Sequence, residues 1–231
     1  MNYTEIINNP NYEKIAELHH NEIKSFVIRE LLENKGWARV AIVYQLLGLF
    51  VFMFGFGTAF GQILASREYV FLVYLVVGAV FLFSFGILFH ELLHALAYKY
   101  VGAKKVSFGM KLKKFLFYVQ ADGEVFNYKQ FKIVALTPML VVGVNAIAGM
   151  AIFYNQPLFY FFLSIFALHS FCCAGDLGIL CFFQNRPNEE IVTFDRKSEG
   201  KSYFYARKGE KHESTKGANK HHAELVSASP N

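Results

Sequence analysis

Charged residues are missing from long stretches of this chain. Of its 231 residues, 54% are hydrophobic, whereas soluble domains are usually about 45–50% apolar. Because the apolar residues are gathered into blocks, the composition argues against a soluble domain and indicates an α-helical membrane protein. The net charge of +5 does not predict nucleic-acid binding, since the Lys and Arg residues lie between the apolar blocks, where membrane topology accounts for them.

Cysteine is also scarce, and a secretory signal is missing. The three cysteines, Cys172, Cys173 and Cys181, fall in one apolar block. Two of them are adjacent and poorly placed to pair, so no disulfide framework is predicted. The first residues lack the basic stretch and apolar core of a cleavable signal peptide, so we expect the first apolar segment to act as the targeting signal.

Four uncharged segments are long enough to cross a bilayer, which takes about 20 helical residues. The interruption at Asn155–Pro157 divides the last long apolar run into two. We predict transmembrane helices at about residues 39–64, 69–100, 131–154 and 158–183. In the first of them, Gly57 and Gly61 form a GxxxG pattern, which indicates either close approach of a neighbouring helix or the ordinary glycine content of membrane helices.

The distribution of Lys and Arg predicts the orientation of these helices. The linker between the first two carries only Arg67, whereas residues 99–132 contain eight lysines. The positive-inside rule therefore places both termini and the 100–130 segment in the cytoplasm. We expect an integral protein of the cytoplasmic membrane, with the lipid bilayer as its first partner; the oligomeric state is left open.

Two regions flank the predicted membrane domain. Residues 1–36 form a cytoplasmic N-terminal segment, in which residues 12–34 show the apolar spacing of an amphipathic helix lying on the membrane. Residues 37–196 form the membrane domain, and residues 197–231 are polar enough to be a disordered tail.

Between the second and third helices the sequence predicts a small antiparallel β-hairpin. Apolar and polar residues alternate over 106–112, which is typical of a half-buried strand. Asp122-Gly123, between 115–121 and 124–128, is a hairpin signal.

His90, Glu91 and His94 form an HExxH motif at the end of the second predicted helix. Residues i and i+4 share a helix face, so both imidazoles can bind one metal ion. Glu91, beside them, could take a proton from an attacking water. The alternative is a pair of histidines at a membrane interface without a metal.

Asp176 is the candidate third ligand, because a catalytic zinc usually has three protein ligands and one open position. The second and fourth helices run in the same direction, so His90, about 33 Å along one, and Asp176, about 28 Å along the other, reach the same membrane face. A carboxylate in an apolar helix also needs a cation partner. Alternatively, Asp176 caps a broken helix. His169, on the same helix face as Asp176, could bind the metal, hold a second-layer carboxylate, contact the substrate or simply make a polar contact between helices.

Two further side chains have candidate roles, and a third is expected to have none. Cys172 could bind the metal as a thiolate or simply pack. Asn145 could donate a hydrogen bond to a developing oxyanion or to a neighbouring helix. Asp195 lies beyond the last predicted helix, where we expect it to be solvated.

These residues resemble a known family. The His90-Glu91-Leu92-Leu93-His94 motif after a membrane helix, the short β region, Thr137-Pro138 and Gly175-Asp176-Leu177 look like the bacterial "putative zincin peptidase" membrane proteins, a family of unknown function that is itself similar to site-2 proteases. The resemblance covers roughly residues 35–196. It implies Zn²⁺ held by His90, His94 and Asp176, with Glu91 as the catalytic acid and base. The Asn-Pro and Leu-Asp-Gly patterns of well-known site-2 proteases are missing.

We therefore predict a zinc-dependent, membrane-embedded peptidase. Its partners would be membrane-protein or peptide substrates, cleaved near the cytoplasmic face, and no nucleic acid. A substrate would bind as an extended strand along the 106–112 edge. The alternatives are a non-proteolytic metal-binding membrane protein and an inactive scaffold.

Overall fold

The structure, a computed structural model, describes residues 2–19, 22–33, 36–111 and 116–208. It is mostly helical, and four of its helical segments are long and apolar enough to cross a membrane. These segments are Trp37–Ser66, Val70–Tyr100, Tyr128–Ile152 and Leu158–Gln184. The four segments predicted from uncharged runs are confirmed as helices of sufficient length. Their outward-facing side chains are largely apolar, as expected of helices that face lipid rather than water.

The elements follow one another in a simple order. The helices are α1 (Tyr3–Ile7), α2 (Ile23–Glu33), α3 (Trp37–Ser66), α4 (Val70–Phe81), α5 (Ile87–Tyr100), α6 (Tyr128–Ile152), α7 (Leu158–Cys172) and α8 (Ala174–Gln184). A π-helical turn, Leu82–Gly86, joins α4 to α5. The strands are β1 (Tyr12–His19), β2 (Ser107–Lys111), β3 (Leu116–Gln120), β4 (Phe126–Asn127), β5 (Ile191–Arg196) and β6 (Lys201–Arg207).

Helix α7 lies at the centre of the bundle and packs against α3, α4 and α6. Glycines allow the closest approaches: a Cβ on Gly48 would lie 2.0 Å from Ser170 Oγ, and a Cβ on Gly55 would lie 2.4 Å from Leu163. The GxxxG pair behaves differently, since a Cβ on Gly57 or Gly61 would meet nothing within 4 Å. Gly57 and Gly61 thus have open space around them, and the glycines that allow close packing, Gly48 and Gly55, precede them in the same helix.

A four-stranded antiparallel sheet, in the order β1-β6-β5-β4, lies beside the bundle. Two predictions are therefore wrong. Residues 12–19 form a strand rather than the first half of an amphipathic helix, which is confined to α2. Residues 201–207 form a strand rather than disordered tail, because they pair on one side with β1 and on the other with β5. Residues 209–231 of the predicted tail lie outside the described residues.

One face of this sheet packs on the helices. Leu18 of β1 and Phe204 of β6 join a buried cluster with Phe26 of α2 and Phe182 of α8. Glu30 of α2, 2% exposed, accepts a hydrogen bond from Asn185 Nδ2 at 2.9 Å. Strand β1 thus forms because its apolar residues meet partners from distant parts of the chain, a contact that local helical spacing does not reveal.

The small hairpin is present, but its turn is not the predicted one. Strands β2 and β3 pair with each other, Phe108 opposite Val119, and the predicted strand end at Leu112 lies outside the described residues. Gly123 has a positive φ of 71°, as a turn requires. That turn does not close a hairpin, however, since it sends the chain into β4, which pairs with β5 of the larger sheet.

Candidate metal centre

The two motif histidines are buried on α5, immediately after the π-helical turn. A π turn adds one residue to a helical turn and so rotates everything that follows relative to the preceding segment. His90 and His94 are 6% and 8% exposed and face the bundle, whereas Leu92 between them is exposed. The turn thus allows a helix with an apolar outer surface to present two imidazoles inward.

Asp176, in the first turn of α8, completes a group of three donors. His90 Nε2 lies 3.0 Å from His94 Nε2. Asp176 Oδ2 lies 3.5 Å from His90 Nε2, and Asp176 Oδ1 lies 3.4 Å from His94 Nε2. The carboxylate of Asp176, predicted from its depth along the fourth apolar segment, therefore lies against both imidazoles.

The tautomer of His94 is set by a proline. His94 Nδ1 lies 3.0 Å from the Val134 carbonyl oxygen, so Nδ1 carries a proton and donates it. Within an α-helix this carbonyl would accept a bond from residue 138, but Pro138 has no N–H. The carbonyl is left free for His94, whose Nε2 therefore presents a lone pair to the centre.

His90 is held in the same way by His169. His90 Nδ1 lies 2.9 Å from His169 Nε2, and His169, 0% exposed, has Cys173 Sγ at 3.6 Å from its Nδ1. With a proton on His90 Nδ1 donated to His169, His90 Nε2 also presents a lone pair. His90, His169 and Cys173 are close enough to form a second possible metal group, but one shared proton accounts for the short nitrogen–nitrogen distance.

These donors fit a zinc ion. Zinc bonds of about 2.0–2.1 Å in a tetrahedron place the ligand atoms roughly 3.3 Å apart, and the three observed separations are 3.0, 3.4 and 3.5 Å. Two imidazole lone pairs and a carboxylate converge without a proton among them, an arrangement that a cation would stabilise. The set of two histidines and one acid leaves a fourth position open, as catalytic zinc sites do.

Glu91 lies beside the metal donors and is positioned by strand β3. The Val119 backbone N–H lies near its carboxylate, and both residues line the same cavity. β3 is bonded to β2 on its other side, so its free edge faces the centre. The strand at the site is therefore β3, and the prediction that the 106–112 strand borders it is wrong.

The centre opens into a cavity of about 210 Å³. Its walls come from α5, α6 and α8 on one side and from the strands on the other, with Gln120, Thr193, Asp195 and Ser202 among the lining residues. Sequence reasoning missed Gln120 and Ser202. It also placed Asp195 in solvent, whereas the side chain is part-buried and borders this cavity.

The remaining candidate side chains have different positions. Cys172 lines the cavity, with its thiol 3.6 Å from the Leu168 carbonyl oxygen in the preceding turn. Asn145 is exposed, is not among the cavity-lining residues, and donates to the Val141 carbonyl oxygen at 2.7 Å. The structure thus brings His169 and Cys172 to the site and leaves Asn145 away from it, so the predicted oxyanion role has no support.

Comparison with known proteins agrees with this chemistry. Residues 83–191 match the family model described as "Putative zincin peptidase". This part of the chain is similar to that family. The match includes the HExxH motif, Pro138 and Asp176, but it ends before Asp195 and is narrower than the 35–196 expected. No curated protein and no solved structure matches the chain.

Proposed function

We propose that the chain is a zinc-dependent peptidase that hydrolyses membrane-associated or juxtamembrane segments near the inner face of a membrane. The observation that carries the proposal is the convergence of His90, His94 and Asp176, with Glu91 beside them, at the mouth of a cavity. The similarity of residues 83–191 to the zincin peptidase family supports the same reaction.

His90, His94 and Asp176 would hold the zinc ion, which supplies a Lewis acid for the scissile carbonyl and the attacking water. Glu91 accepts the proton that the water loses and later delivers it to the leaving amine. The Val119 N–H keeps the Glu91 carboxylate directed at the cavity. His169 and the Val134 carbonyl hold the ring protons that keep the imidazoles in place.

The free edge of β3 supports binding of the substrate as an extended strand. A helical segment has its carbonyls tied up in internal hydrogen bonds, so a cleavable peptide has to be unwound. An exposed strand edge provides backbone partners for such a peptide, and here that edge contacts the residue that acts as base.

The charge distribution supports a site on the cytoplasmic side. The metal centre stands at the end of the second and fourth apolar segments, next to the lysine-rich stretch 99–132. The positive-inside rule assigns that end to the cytoplasm and with it both termini. Substrates would accordingly be cut close to the inner leaflet.

The test is Glu91→Gln in the purified, detergent-solubilised protein. We expect bound zinc, measured by mass spectrometry, to stay near one per chain, and hydrolysis of denatured casein to fall by about 100-fold or more. Glu68→Gln, the same change at the exposed far end of the second segment, is the matched control and should have wild-type activity.

The other outcomes identify the alternatives. Full zinc with no hydrolysis in wild type would indicate a non-proteolytic metal-binding membrane protein. Neither zinc nor hydrolysis would indicate an inactive scaffold. Undiminished hydrolysis by Glu91→Gln would show that this glutamate is not the base and would overturn the mechanism.

A further inference from the structure

Besides the metal donors, the cavity is lined by polar side chains from three strands. We call it the distal pocket and define it by Gln120 of β3, Asp195 of β5 and Ser202 of β6, all of which line the cavity. Asp195 and Ser202 stand opposite each other in the sheet, and Ser202 Oγ donates to Asp195 Oδ1 at 2.6 Å. None of the three side chains is a metal donor.

Gln120 is buried without a partner. It is 2% exposed, and neither Oε1 nor Nε2 has a hydrogen-bond partner among the described residues. An unsatisfied buried polar group costs about 1–3 kcal/mol, and native proteins rarely keep one without a reason. Because this amide borders the cavity, a bound ligand would supply the missing partners.

Asp195 is a carboxylate without a cation. It forms no ion pair with any described residue, and Ser202 is its hydrogen-bond donor. Burial, opposed by the Ser202 bond and reinforced by the nearby Asp122 charge, raises the pKa of Asp195 to about 6. The group is still mostly ionised at pH 7, so the pocket contains an uncompensated negative charge.

The pocket also has more acceptors than donors. Thr193 lines the same cavity, and its hydroxyl donates a hydrogen bond to the Tyr203 carbonyl oxygen at 3.0 Å. The Thr193 hydroxyl can therefore only accept hydrogen bonds from a ligand. Together with Gln120 Oε1 and the free Asp195 oxygen they form an acceptor-rich surface. The complementary group is a cation with several N–H donors, as in Lys or Arg.

We propose that the distal pocket binds a Lys or Arg side chain of the substrate and thereby selects the peptides that are cleaved. This inference rests on the proposed peptidase function. Val119, which lies next to Glu91, directly precedes Gln120 in strand β3. The pocket and the catalytic base thus share this strand, so we expect the basic residue to lie close to the scissile bond.

Size agrees with this occupant. A buried water needs roughly 10–15 Å³ of such space, so the 210 Å³ cavity holds far more than an ordered water and has room for an extended side chain. The family match ends at residue 191, so Asp195 and Ser202 lie outside the segment that resembles the family. Residues outside that segment are suited to determine the specificity of this chain rather than the reaction itself.

Peptide capture tests the proposal with hydrolysis switched off. Immobilised, zinc-loaded Glu91→Gln protein is exposed to a random library of twelve-residue peptides, and the retained peptides are sequenced by mass spectrometry. We expect Lys and Arg to be enriched by roughly tenfold over norleucine. Adding Asp195→Asn should abolish the enrichment, whereas Glu199→Gln, which removes an exposed carboxylate from the turn between β5 and β6, should preserve it.

Absence of enrichment, or enrichment that survives Asp195→Asn, would overturn the proposal. Gln120→Leu serves as the second variant, because it removes the unpaired amide at similar volume. It should weaken the enrichment several-fold without lowering thermal stability, and lower stability with unchanged enrichment would assign Gln120 a structural role instead.

Hydrolysis by wild type is measured separately. Asp195-dependent capture without any hydrolysis would refute the peptidase function and leave the pocket assignment intact. If wild type hydrolyses peptides without a preference for basic residues, and Glu91→Gln abolishes this hydrolysis, the peptidase function stands and the pocket assignment is wrong.

Discussion

Replacing Asp195 with Asn should make the protein more stable at neutral pH. The pKa of this carboxyl is raised from 3.8 to about 6, chiefly by burial. Since one pKa unit corresponds to about 1.4 kcal/mol, ionising Asp195 costs the folded state about 3 kcal/mol at pH 7. Asn has the same shape, can still accept the Ser202 bond and carries no charge, so the variant avoids this cost.

The sign of the pH dependence follows from the same values. Below pH 3.8 both folded and unfolded chains keep the Asp195 proton, and the wild type has no penalty. Between pH 3.8 and 6 the unfolded chain releases the proton first, so wild-type stability falls; above pH 6 the penalty is constant. The advantage of Asp195→Asn should therefore grow from under about 1 kcal/mol at pH 4 to about 3 kcal/mol at pH 7.

Thermal unfolding in detergent, followed by intrinsic fluorescence over this pH range, measures the difference. For a chain of this size the gain at pH 7 corresponds to roughly 5–10 °C. The exposed Glu199→Gln control should shift stability by less than about 1 kcal/mol at each pH. A variant less stable than wild type at neutral pH would refute the reasoning, because Asp195 would then stabilise the fold.

Three further predictions concern the metal centre and the bundle. Asp176→Ala should remove most of the bound zinc, whereas His169→Ala should weaken zinc affinity by roughly 10–100-fold in chelator competition; equal losses would contradict the assignment of Asp176 as ligand. Pro138→Ala should lower zinc affinity by about tenfold, because the Val134 carbonyl can again accept a helical hydrogen bond from residue 138. Unchanged affinity would show that the proline does not position His94. Gly48→Ala should lower the midpoint of thermal unfolding, since its Cβ would meet Ser170 at 2.0 Å. Gly57→Ala, with open space around it, should change stability by less than about 1 kcal/mol. Equal effects of the two substitutions would contradict the packing described.

The helices and the metal donors could be predicted because both depend on features that can be counted along the sequence, namely uncharged runs and residue spacing. An uncharged run long enough to span a bilayer is visible in any single segment. The i, i+4 spacing of His90 and His94 is likewise local, and the depth argument brought Asp176 to them by counting residues along two helices. The role of Pro138 was not predicted, since it depends on which side chain approaches the freed Val134 carbonyl.

The cavity wall could not be predicted in the same way. Ile15 and Leu18 fit helical spacing with Phe26, and the strand pairing that overrides it comes from β6, far along the chain. For β6 itself a local signal existed: Tyr203, Phe204 and Tyr205 are strong strand formers. The unpaired state of Gln120, by contrast, is a property of three-dimensional surroundings and leaves no mark in a sequence.

The pairing of β1 with β6 sets Tyr12 opposite Arg207, so a sheet that walls the cavity joins the beginning and the end of the described chain. During synthesis His90, His94 and Asp176 emerge from the ribosome well before the last strand does. On the proposed function a growing chain can thus bind its metal while the cavity is still open on one side, and selective cleavage begins only after translation has passed residue 207. A tag or nick that frees either strand should accordingly make the protein less discriminating and also less stable, because Leu18 and Phe204 belong to the buried cluster with α2 and α8.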